Sequence, residues 1–167
     1  MQNTIEPTLE TVAHARCQFE SISERLLHLL SFVPDDKLNW TPSATAKSSL
    51  RIVAHCAMTS RSIANIITGT MPESMPSPEA FFSGLHAVEV KITQRECAIA
   101  AVNETTAELC KALNSVNTEN IHTTPDSPFG PVAMQFWVEL GYRHMAGHVG
   151  QLEYLQTIWG DLDNHLS

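Results

Sequence analysis

Residues 131–160 read PVAMQFWVELGYRHMAGHVGQLEYLQTIWG, and this stretch decides the fold. Phe136, Leu140, His144, His148, Leu152, Leu155 and Trp159 recur at steps of three and four, the period of an amphipathic helix. Pro131 suits a first helical turn and Gly160 a stop, so the spacing predicts one long helix over 131–160. Two histidines stand in its apolar stripe.

The same period recurs three times upstream. Leu9, Val12, Phe19, Ile22, Leu26, Leu29 and Val33 mark a helix near 8–32, which ends before Pro34 because proline cannot continue it. Ser48 or Ser49 can cap a second helix near 48–69, with Ile52, His55, Thr59, Ile63 and Ile66 on one side and Gly69 as its stop. Val88, Ile92, Ile99, Val102, Thr106, Leu109, Leu113 and Val116 give a third long helix near 86–116. A short helix over 78–83 precedes it, broken near Gly84. No strand pattern of comparable strength competes, so the expectation is an all-α, antiparallel four-helix bundle. The connections over 35–47, 70–77 and 117–130 are long for a minimal bundle, which points to a crossover or a functional loop. The last could form a short extended hairpin around Ile121 and Pro125 and cover one end of the bundle, with His122 over the metal end.

At 167 residues the chain fits one domain, 1–167, large enough to bury a core without disulfides. It is 43% hydrophobic and 17% charged, the profile of a globular chain rather than a disordered one. Ten basic against eighteen acidic residues give a net charge of −8, with no basic run to neutralise phosphates, which argues against nucleic acid. Neither a signal-peptide core near Met1–Leu9 nor a bilayer-length apolar run is present, so the expected setting is cytoplasmic, without a membrane partner. Cys17, Cys56, Cys97 and Cys110 form no CxxC pair and fall within helical patterns, where free thiols act as small buried hydrophobes.

The chemistry lies in His144 and His148. Four residues apart on a helix, their rings sit one turn apart on one face and can aim at a common point. Met145, Ala146 and Gly147 lie between them, so this is not HExxH and no glutamate base is supplied. An isolated HxxxH pair is also what packed or surface histidines produce. Three features favour a metal. Core-facing imidazoles need partners; His55 offers a third ligand from another helix; and Gly141, Ala146, Gly147 and Gly150 thin the surrounding helix. Each helical glycine costs about 1 kcal/mol relative to alanine, so their placement asks for a reason: close helix approach, room for a ligand, or both.

Leu38-Asn39-Trp40-Thr41-Pro42, Ser48-Ser49-Leu50-Arg51-Ile52-Val53-Ala54-His55 and Tyr142-Arg143-His144-Met145-Ala146-Gly147-His148-Val149-Gly150-Gln151-Leu152 together resemble the DinB-like superfamily, in order and spacing. That superfamily includes YfiT-like hydrolases and bacillithiol- and mycothiol-dependent S-transferases. The resemblance covers the chain from about Leu9 to Trp159 and implies a four-helix bundle with right-handed crossovers, usually dimeric. It also implies a divalent metal, commonly nickel or zinc, held by His55, His144 and His148. The implied activity brings a low-molecular-weight thiol to a small electrophile, or hydrolyses one. The alternatives are a non-catalytic metal-binding or stress-response module, and a structural dimer with three ordinary histidines.

Other polar residues carry two readings each. Trp40 is a packing residue or a substrate platform. Gln151 can orient a histidine or bind a ligand. Glu139 and Tyr142 can carry protons or lie on the surface, and Arg143 can form a salt bridge or bind an anion. His14, His28, His86 and His165 have no ligand-like company.

Overall fold

The computed structural model describes residues 8–166, so most of the Met1–Leu9 segment lies outside them. Five helices follow one another: α1 (Leu9–Phe32), α2 (Ser49–Thr68), α3 (Pro78–Glu89), α4 (Arg95–Asn114) and α5 (Met134–Ile158). The all-α expectation holds, and no strand occurs among the described residues, the 121–125 hairpin included.

Local chemistry sets the boundaries. Thr8 and Thr11 form a capping box at α1, and Ser48 Oγ accepts the Arg51 N–H at α2. Gly69, at φ 68°, closes α2 in the left-handed conformation that glycine adopts without strain. Ser77 caps α3 and Pro78 occupies its first turn. Three expected boundaries move. Gly84 does not break α3, which runs on to Glu89, and α4 begins only at Arg95, because the chain leaves the helix at Val90 and re-enters after Gln94. Pro131 lies ahead of α5, whose first N–H, at Met134, bonds to the Thr123 carbonyl at 2.9 Å.

The four long helices surround one core in the cyclic order α1, α5, α2, α4, so α1 and α2 stand diagonally. Direction follows from the residues that meet. Arg16 bonds Asn114 while Arg95 bonds the carbonyls of Leu30 and Val33, so α1 and α4 are antiparallel. His55 meets His144 and His148, and Ile52 shares a cavity wall with Leu155, so α2 and α5 are antiparallel too. By contrast Ser23 bonds Met145 and Arg25 bonds Glu153, so α1 and α5 run parallel. The expected antiparallel arrangement therefore holds for two of these three pairs. The reason is the crossover: α3 and its flanking loops carry the chain back along α2 before α4 starts.

The core is built from Phe19, Leu26, Leu30, Leu50, Ile63, Ile66, Leu109, Leu113, Met145 and Leu152, all essentially inaccessible to water. In α5 the buried line is Met134, Trp137, Val138, Gly141, Met145, Val149 and Leu152. The predicted stripe holds at Leu152 and Leu155 but is displaced by one residue before them: Phe136 faces solvent, Trp137 is buried with its indole N–H donated to the Val132 carbonyl, and the two histidines flank the core beside α2. Of the cysteines only Cys56 is fully buried; Cys17 and Cys97 are exposed.

Candidate metal centre

His55 lies in the second turn of α2, and His144 and His148 lie one turn apart in the middle of α5, where the two helices pack. The His144 Nε2 atom sits 3.2 Å from His55 Nε2 and 3.1 Å from His148 Nε2. One ligand atom from each ring falls within 4.8 Å of the other two.

The outer nitrogens explain why the inner ones are bare. His55 Nδ1–H donates to Glu89 Oε1 at 2.5 Å, and His148 Nδ1–H donates to Gln151 Oε1 at 2.8 Å. A neutral imidazole carries one N–H, so each of these rings presents Nε2 as an unprotonated acceptor. At most the single proton of His144 can lie among the three, and a cation suits two bare lone pairs converging on a third nitrogen better. The spacing fits as well: metal–nitrogen bonds of about 2.0–2.1 Å put neighbouring nitrogens roughly 3.0 Å apart at a right angle and roughly 3.4 Å apart in a tetrahedron. The two observed separations, 3.1 and 3.2 Å, fall between.

Glu89 was not among the residues singled out from sequence. It is 2% exposed, whereas its neighbours Val88 and Val90 are 43% and 42% exposed, the reverse of ordinary polarity. A carboxylate is costly both in an apolar interior and at the C-terminal end of a helix, where α3 places it. Lys47 Nζ, 2.9 Å from Oε2, and His55 on Oε1 offset that cost, with Arg51 3.7 Å away. Burial drives the Glu89 carboxyl upward, but the hydrogen bonds from Lys47 and His55 outweigh it and hold the group below the usual carboxylate range. Glu89 is therefore ionised, and an ionised carboxylate can only accept, which fixes the tautomer of His55. A glutamate between two valines was the only sequence signal for this role.

Two of the three rings, His144 and His148, resist protonation. Burial, aided by His148 and His55, pushes His144 down to about 3. Burial also lowers His148, against the opposing pull of the Gln151 hydrogen bond. Neutral imidazole is the form that binds metal.

The remaining candidates separate cleanly. Gln151 orients His148. Tyr142 precedes His144 by two residues, roughly 200° around the helix, and its ring packs edge-on toward His14 of α1, 6.3 Å away, while its hydroxyl accepts from Arg143. Trp40 packs edge-on against Trp159 at 6.0 Å, tying the 33–48 connection to the end of α5. Arg143 forms a salt bridge with Glu139. The exposed His122 belongs to the loop beside the C-terminal end of α2, the end opposite the triad, because Met134 N–H anchors that loop at the start of α5.

Several hollows adjoin the bundle, and two of them bear on the site. The larger, about 1090 Å³, lies between the C-terminal end of α2 and the 120–131 loop, far from the histidines. The other, about 640 Å³, opens beside His148.

A family model of the DinB superfamily matches residues 18–152, most of the chain and all three histidines. The chain belongs to the DinB superfamily. No curated protein sequence matches it. Among solved structures, this DinB-superfamily protein is similar to a mycothiol-dependent maleylpyruvate isomerase at a TM-score of 0.68 and 14% identity, over 87% of this chain and 63% of the other. The chain thus spans less than two thirds of that protein's length, and at this identity the likeness shows the shared fold. No helix among the described residues is long and apolar enough to cross a membrane.

Proposed function

We propose that this DinB-superfamily protein is a metal-dependent enzyme that transfers a low-molecular-weight thiol to a small electrophile, or hydrolyses such a substrate. His55, His144 and His148 hold one divalent ion, nickel or zinc. The convergence of three Nε2 atoms, two of them bared by Glu89 and Gln151, carries this reading. The likeness to a mycothiol-dependent isomerase supports the thiol as co-substrate.

When bound, the ion supplies Lewis acidity and makes a thiol or water acidic enough to react near neutral pH. The chain's own residues prepare that position. Glu89 holds the His55 ring and its tautomer, Lys47 keeps Glu89 ionised, and Gln151 does for His148 what Glu89 does for His55. Ile52 and Leu155 keep one wall of the approach dry. The protein acts in the cytoplasm as a single-domain homodimer; the exposure of Phe136 on its surface supports the dimer.

A second reading, a metal-binding or stress-response module without turnover, is favoured by one observation. Glu89, the buried carboxylate touching the triad, is already committed to His55 and Lys47 and is not a free base. Elemental analysis of protein purified without a histidine tag, beside His148→Ala, tests the metal: about one equivalent in the first and little in the second is expected. Assay of the metal-loaded protein with thiols and model electrophiles then separates enzyme from module. Stoichiometric metal with no turnover of any electrophile would leave the module.

A further inference from the structure

The hollow beside His148 is lined on one side by α5 and on the other by the 42–47 segment and Ile52 of α2. His148, Gln151 and Lys47 stand toward the triad, while Leu155, Tyr154 and Ile158 lead away along α5, with Thr45 on the facing segment. Tyr154 and Ile158 are among the more exposed large apolar residues of the protein, so apolar surface here stands uncovered.

The glycines of α5 divide into two kinds. A Cβ at Gly141 would lie 2.8 Å from Leu109 Cδ2, so this glycine makes room for the Leu109 side chain that reaches across the core from α4. A Cβ at Gly147 or Gly150 would meet nothing within 4 Å, and neither has a positive φ, so neither packing nor backbone conformation requires glycine there. Both line the hollow, flanking His148.

We propose that this cavity of about 640 Å³ is the chamber through which ligands reach the triad, and that it admits a molecule with one metal-seeking polar head and an apolar body. Gly147 and Gly150 set the room for that body. The inference rests on the metal reading for the head and on the cavity alone for the body, and the volume is within the ordinary range for small-molecule sites.

A series of n-alkylhydroxamates from acetyl to octanoyl, titrated calorimetrically into zinc-loaded and metal-free protein, tests it. Affinity should rise about fourfold per methylene until the chamber is filled, in both forms, with the zinc-loaded form tighter throughout. Gly150→Leu and Gly147→Leu should keep their zinc and melt no lower than the wild type, since leucine is the better helix former in open space, yet lose the dependence on chain length. Ile158→Asp, at an exposed position, should selectively weaken octanoyl binding while sparing acetyl, and it serves if a glycine variant misfolds. Zinc failing to bind while the chain-length dependence persists would remove the metal reading and leave the chamber standing. Affinity independent of chain length in the wild type, or a dependence unchanged in Gly150→Leu and Ile158→Asp, would overturn the proposal.

Discussion

Replacing Glu89 with glutamine keeps the side-chain shape and removes the charge that three neighbours use. His55 Nδ1–H, at 2.5 Å, and Lys47 Nζ, at 2.9 Å, each lose a charged acceptor, and Arg51 loses a partner at 3.7 Å. Breaking a fully buried pair costs about 3–5 kcal/mol. Lys47 and Arg51 are each about one-third exposed and recover much of their hydration, which reduces the expected loss to roughly 1–3 kcal/mol. At about 2–4 °C per kcal/mol for a chain of this size, the melting temperature should fall by roughly 2–12 °C. The second consequence concerns the metal. A partner that orients a ligating histidine is worth about 10–100-fold in affinity, so competition with a chromophoric zinc chelator should show Glu89→Gln weakened by that factor. Glu89→Ala, which also leaves a void, should melt lower still. If Glu89→Gln bound zinc within twofold of the wild type while melting several degrees lower, Glu89 would be a structural ion-pair partner and its role in orienting His55 would have to be abandoned.

Chelation should lower the melting temperature of the wild type and leave His144→Ala unmoved, since only an intact triad gains stability from bound metal; equal shifts in both proteins would place the metal elsewhere. In chelator, stability should decline as pH falls. The His144 ring has an ordinary value of 6.5 and is pushed to about 3 in the fold by burial and by His148 and His55. Between these values the unfolded chain binds the proton better, so the contribution is full above about 6.5 and drains away below it; melting curves that stay level from about pH 7.5 to about pH 5 would show a solvated ring. Gly147→Ala should raise the melting temperature, because it gains up to about 1 kcal/mol of helix propensity in open space. Gly141→Ala must displace Leu109 and should not gain; equal gains at both sites would contradict the division of the glycines. Sedimentation at high micromolar concentration should find a dimer, and a monomer there would leave the exposed Phe136 with no role in association.

What the sequence determines here is local. Four long helices, the serine cap of α2, the stop at Gly69 and the HxxxH pair follow from spacing and backbone chemistry within one or two turns, and the structure keeps them, with the third helix starting later, at Arg95. The family motifs also grouped His55 with that pair, and its Nε2 lies 3.2 Å from that of His144. The face that turns inward is decided where helices meet. In the first half of α5 the buried stripe is offset by one residue, because residues on adjoining faces of a helix differ by only about 100° and whether Trp137 or Phe136 turns inward depends on what stands opposite. Glu89 was invisible because its partners, Lys47 and His55, lie 42 and 34 residues away, and only the return of the chain through α3 brings them together. Gly141 and Gly147 look alike in the chain. Their difference is the presence of Leu109 beside one and empty space beside the other, and such proximity exists only once the helices have packed.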